Sequence, residues 1–223
     1  MESSVKTGTV WHESTDGKLS ANEDVRIDGD NLAAALALPT VACIETVFGQ
    51  TDPTPNSDLT LKLTSSTFFD DSDPVTVFVE SLIERGWLDP ERRSDALLAL
   101  HEALANAIIH GNLAIAGGNA ETAEDFKNQG RLIVERLGTP SYGNLPVTLS
   151  AVRVPEGITI TVQDCGSGFK APASPQDSDD QDVGVLAKRG RGIGLIRLSS
   201  DSMFHEDNGR RLILFYSSVV NDQ

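Results

Sequence analysis

Two runs of alternating residues in the second half of the chain constrain its fold most. Val147 to Val154 and Ile158 to Asp164 place apolar side chains at every second position, with Pro155-Glu156-Gly157 between them. Period-two alternation describes a strand with one face in a core, and a short turn-forming link folds two such strands into an antiparallel hairpin. A second hairpin is expected near the C-terminus. There, strands around Ser202–Glu206 and Arg211–Val219 flank Asn208-Gly209, a two-residue turn signal. Leu59, Leu61 and Leu63 alternate with polar residues and predict one more short strand.

Elsewhere the pattern is helical. Ser72 or Asp73 can cap a helix that has Pro74 in its first turn, runs to about Arg85 and ends at Gly86. Asp89-Pro90 opens a second helix, which carries Leu97, Leu98, Leu100, Leu104, Ile108 and Ile109 and stops at His110-Gly111. Ala120 to Leu137 is helical by propensity, with an expected interruption at Gly130 and an end at Gly138-Thr139-Pro140. A further helix starts near Arg191. Helices interleaved with antiparallel hairpins give an α+β fold, a two-layer α/β sandwich: one mixed, mostly antiparallel sheet with helices on one face.

The first quarter of the chain reads differently. It is polar and acidic, with ten acids and three bases in residues 1–60, out of a whole-chain charge of −15. Turn formers stand at Asp16-Gly17 and Asp28-Gly29. Asn31 to Phe48 reads as a helix that Pro39 kinks or splits, and Gln50 to Asp58 as a linker. The expected organisation is an acidic N-terminal extension over 1–58, without an assigned role, and a main domain over 59–223. An autoinhibitory arm, a docking element and a plain acidic tail all stay open for the extension.

Composition narrows the functional classes. At 39% hydrophobic residues the chain can build a core, and its acidic balance argues against nucleic acid or an anionic membrane as partner. No apolar run is long enough for a bilayer, and the N-terminus lacks the basic flank and apolar stretch of a secretion signal, so a cytoplasmic protein is expected. Cys43 and Cys165 lie far apart and form no CxxC pair; His12, His101 and His205 have no partners at metal-ligand spacing. Trp11 and Trp87 read as packing residues, and Cys165 as a small polarisable filler.

Three segments carry chemistry. In His101 to Asn112 (HEALANAIIHGN), Glu102, Asn106 and His110 stand at i, i+4, i+8 and share one helical stripe. On a largely apolar helix they line water, a cavity or a ligand, since unpaired polar groups in a dry core cost several kcal/mol each; a solvated helix face is the alternative. Asp164 to Phe169 (DCGSGF) ends a strand, where Asp164 is an acceptor suited to an exocyclic amine such as that of adenine. Gly166 and Gly168 let the backbone turn sharply and approach a ligand. Gly190 to Leu195 (GRGIGL) opens a helix whose N–H groups favour an anion. It is neither a Rossmann fingerprint nor a Walker loop.

Taken in order, Glu-x3-Asn-x3-His-Gly, DxGxGF about fifty residues on and GxGxGL about twenty residues later resemble the signature of the GHKL (Bergerat-fold) ATPase superfamily. HEALANAIIHGN and the short stretch before GRGIGL look most like the anti-sigma-factor serine/threonine kinases. The resemblance covers roughly Leu59 to Val219. It implies an ATP·Mg²⁺ site in which Asn106 holds the metal, Glu102 is the general base, and Asp164 accepts the adenine amino proton with Gly166 and Gly168 in its loop. Gly190, Gly192 and Gly194 leave room for the phosphates, Ile193 stands among them as a nucleotide-binding residue, and His110, Lys188 and Arg191 are phosphate neighbours. Leu113 to Pro146 is longer than in the simplest of these kinases and resembles an insertion beside the pocket.

By the same resemblance, the chain is expected to be a protein serine/threonine kinase of a bacterial partner-switching system. It would phosphorylate a small antagonist protein, with a sigma factor as a further partner, and work as a homodimer. The alternative is a nucleotide-dependent binding module that sequesters a regulator with little turnover. Glu102 favours the kinase, because a pure binder has no use for a base there. A sensor histidine kinase fragment is disfavoured, since no helical segment with a phospho-acceptor His precedes the domain.

Overall fold

A computed structural model describes residues 6–49, 57–69, 73–116, 122–168 and 191–218. Its frame is one eight-stranded sheet in the order β2-β1-β3-β4-β5-β6-β8-β7. The strands are β1 (Thr7–Glu13), β2 (Leu19–Arg26), β3 (Thr40–Glu45), β4 (Leu59–Thr64), β5 (Pro146–Val154), β6 (Gly157–Gln163), β7 (Ser202–Glu206) and β8 (Arg211–Ser217). Every neighbouring pair is antiparallel except β3 and β4, which run parallel. The alternation in the sequence becomes the core. Leu59, Leu61 and Leu63, then Val147, Leu149 and Ala151, then Ile158, Ile160 and Val162 are all buried in one cluster with Leu212, Leu214 and Tyr216.

Helices α1 (Gly29–Leu36), α3 (Pro74–Glu84), α4 (Arg93–Ala105) and α7 (Arg191–Leu198) form the second layer, with α1 on α3, α3 on α4 and α4 on α7. Phe78, Leu82, Leu100 and Ile108 carry this layer into the shared core. Asp73 caps α3 by accepting the Thr76 N–H at 3.3 Å, with Pro74 in the first turn, as the sequence predicts; Gly86 follows at φ +67°. Two four-residue helices, α2 (Ser65–Phe68) and α6 (Pro140–Gly143), brace the ends of β4 and β5. Trp87 does pack as a partly buried residue, against the guanidinium groups of Arg85 and Arg153.

Three local expectations are corrected. The helix foreseen over Asn31 to Phe48 ends at Leu36; beyond Pro39 the chain is strand β3, where Thr40, Val41 and Ile44 are β-branched. Helix α5 (Ala123–Leu137) passes through Gly130 without a break, held at its start by a reciprocal Thr122–Asp125 capping box. The C-terminal hairpin turns through Asp207, Asn208, Gly209 and Arg210 rather than two residues, with left-handed backbone at the first three. The opening residues form the hairpin β1–β2 around Asp16-Gly17. In its middle β2 carries an extra residue opposite Gly8–Val10, with Asp24 at φ +56°. The expected linker falls mostly outside the described residues.

Residues Thr7–Glu45 thus extend the sheet beyond β4. Among the described residues, no helix is long and apolar enough to cross a membrane.

Candidate functional site

Helix α4 begins after a turn in which Asp89 accepts the Glu91 N–H at 2.8 Å, and it continues past Ala105 as a π-helical turn over Asn106–Asn112. Glu102 and Asn106 face the start of α7. A Cβ added to Gly192 would stand 2.6 Å from Glu102 Oε2 and 3.5 Å from Asn106 Nδ2. A side chain here would press on the free end of Glu102, so the glycine leaves that carboxylate its present place. His110 is exposed and donates from Nδ1 to the Ile115 carbonyl at 2.7 Å.

Asp164 follows β6, and its N–H donates to the Arg210 carbonyl at 3.0 Å. Its side chain is 7% exposed and accepts the Gly166 N–H at 2.7 Å. Burial pushes this carboxyl up to about 6, against the downward pull of the Gly166 N–H and the Arg210 charge. It lies directly on the π turn: a Cβ at Gly111 would be 2.6 Å from Asp164 Cγ. Gly166 packs on Gly111 in turn, and Gly168, at φ +74°, packs on the Asn208 carbonyl, where a Cβ would come to 2.4 Å in each case. The chain's own backbone thus accounts for both loop glycines.

Sequence reasoning missed Asn112, although it closes the quoted motif. This side chain is 2% exposed. Its Nδ2 donates to Ser65 Oγ at 2.8 Å and to the Pro146 carbonyl at 3.0 Å, while its Oδ1 accepts the Cys165 N–H at 2.8 Å. A polar residue after an apolar helical run was the available signal. Its meaning lay in partners far along the chain.

Of the remaining predicted residues, Lys188 and Gly190 lie outside the described residues. Arg191 opens α7, Ile193 is half-buried in its first turn, and a Cβ at Gly194 would meet nothing within 4 Å. Cys165 is exposed rather than packed as a filler; its thiol pKa is raised by loss of part of its solvent shell to the surrounding chain and by the neighbouring Asp164 carboxylate. No cluster of three or more His, Cys, Asp or Glu side chains is assembled for a metal among the described residues. On the α2 side of α4, a cleft of about 340 Å³ is lined by Phe68, Phe69, Leu104 and Ile108, with Asp73 and His101 also on its wall.

A carboxylate and an amide thus stand beside the first described turn of α7, and a buried carboxylate at a strand end packs on the π turn that continues α4. Residues 70–215 match the family model of the histidine kinase-like ATPase domain. That span is well over half of the chain, and the chain belongs to this family, part of the GHKL superfamily of ATP-binding domains. No curated protein matches it.

Proposed function

We propose that the chain is an ATP-dependent protein serine/threonine kinase of the anti-sigma-factor type, acting on a small antagonist protein in a partner-switching system. The observation that supports this reading is the approach of Glu102 and Asn106 to the space over Gly192, where an added Cβ would meet Glu102 Oε2 first and Asn106 next. It sets a candidate base and an oxygen ligand beside a helix N-terminus, where backbone N–H groups favour phosphate.

The residues fit ATP and Mg²⁺. Mg²⁺ commonly takes one or two protein oxygens and fills its octahedron with phosphate oxygens and water, so the Asn106 amide oxygen suffices as a protein ligand. Bound there, the ion supplies neutralisation of the phosphate charge. Glu102 takes the proton from the acceptor hydroxyl, and the first turn of α7 holds the phosphates by its N–H groups. Asp164, as carboxylate, accepts from the adenine amine.

Incubating the purified chain with labelled ATP·Mg²⁺ and candidate antagonist proteins tests the proposal. Label on Ser or Thr of an antagonist is the expected result. Tight nucleotide-dependent capture of a partner without transfer would replace the kinase by a binding module.

A further inference from the structure

A buried polar chain leads from Asp164's loop to strand β3, which precedes the matched family region. It begins at Asn112, whose Oδ1 holds the Cys165 N–H, one residue from Asp164. Asn112 Nδ2 donates to Ser65 Oγ, and Ser65 in turn donates from its N–H and its hydroxyl to the Leu145 carbonyl, at 2.9 and 3.0 Å. Ser65 opens α2, whose cap Thr64 accepts the Thr67 N–H at 3.2 Å. Both threonines then close on Glu45, the last residue of β3. Glu45 Oε2 accepts the Thr64 N–H at 2.7 Å, and its carboxylate accepts the Thr67 hydroxyl at 2.9 and 3.0 Å.

Each link is buried: Asn112 is 2% exposed, Ser65 0%, Thr67 1% and Glu45 7%. A carboxylate in such a place is tolerated only with its acceptor sites filled. The donors come from β4 and α2 and the acceptor from β3, so the Glu45 carboxylate depends on the Thr64 N–H and the Thr67 hydroxyl, the latter also 2.7 Å from the Thr64 hydroxyl. The same Asn112 amide that secures Ser65 fixes the backbone next to the base-reading carboxylate.

We propose that Asn112 is the positioning residue for the base-reading loop, and that Ser65, Thr64, Thr67 and Glu45 couple this loop to the N-terminal strands. The inference rests on the nucleotide reading above. Energetic coupling is reciprocal, so ATP tightens the Glu45 contact and loss of that contact weakens ATP.

The test measures ATP and GTP affinity and amide hydrogen exchange on the full chain. In the parent, saturating ATP slows exchange at the Cys165 and Thr64 amides. Asn112→Ala lowers ATP affinity by at least about tenfold, the scale of one buried hydrogen bond lost, and narrows the ATP-over-GTP preference. In that variant ATP no longer slows Thr64. Glu45→Gln, which keeps the shape and one acceptor oxygen, lowers ATP affinity at least about fivefold. If Asn112→Ala does not fold, Ser65→Ala is read in its place and shifts affinity and preference in the same direction. ATP binding with an unchanged Thr64 exchange rate, or folded variants within twofold of the parent in affinity and base preference, overturns the inference alone. A folded parent that binds no nucleotide overturns the nucleotide reading, and this inference with it.

Discussion

Glu102 and Gly192 meet at the α4–α7 contact, where a single added methyl would lie 2.6 Å from the Glu102 carboxylate oxygen. The position of the candidate base is thus set by the absence of a side chain on the neighbouring helix. Gly192→Ala separates stability from chemistry. Alanine is favoured over glycine in a helix by up to about 1 kcal/mol, so the melting temperature should stay level or rise. The carboxylate, at the free end of its side chain, must move aside, and a displacement of about 1 Å can cost roughly a hundredfold in rate. Phosphoryl transfer at parental rate in a folded Gly192→Ala protein would remove Glu102 from the chemistry.

Glu102→Gln tests the base itself. Glutamine keeps the shape and an acceptor oxygen but takes no proton. Nucleotide affinity should remain within a few-fold of the parent, while transfer falls by about 10²–10⁴-fold. Isothermal titration and single-turnover labelling on the same preparation read both quantities. A solvated helix face would leave both unchanged.

Nucleotide with Mg²⁺ should stabilise the fold, by about 2.7 kcal/mol at a hundred times Kd. Asn106→Ala should remove most of the Mg²⁺-dependent part of that gain. Thermal melts with ATP, with and without Mg²⁺, give the comparison; an equal shift in both proteins would discard Asn106 as a metal ligand.

The Asp164 carboxyl, raised by burial from an ordinary 3.8 to about 6, makes opposite predictions for folding and binding. Folding favours its neutral form: that contribution is complete below about pH 3.8 and is lost as pH rises through 6. Adenine recognition needs the carboxylate, so ATP affinity should fall by about tenfold per unit below pH 6. Asp164→Asn should flatten both dependences, apart from protonation of the nucleotide's own phosphates. Parallel melts and binding isotherms from pH 5 to 8 would expose a mistaken sign in either.

The sequence was most informative where one periodicity ruled. Leu59, Leu61 and Leu63, and the alternation in β5 and β6, announced strands because one face of each is buried beneath helices. Glu102 and Asn106 are visible in the sequence as an i, i+4 pair, and their side chains are the ones nearest to where a Cβ on Gly192 would stand. Strand β2 gave no such sign: its residues are exposed or half-buried along its whole length, so no alternation marks it. Pro39 was seen as a kink, but the strand after it depends on pairing with β1 and β4. The role of Asn112 was illegible for a similar reason. Its partners Ser65, Pro146 and Cys165 lie 47, 34 and 53 residues away, and no local spacing links them.

An open sheet has two rims, and a bare rim invites a strand from another molecule. The rim formed by β2 is ill suited to receive one. Glu23, Asp24 and Arg26 crowd its outer half, and the residue inserted at Asp24 bends the strand away from the flat register that a second chain would need. The irregularity that hides β2 from a reading of the sequence therefore also makes this rim a poor template for a strand from a second molecule.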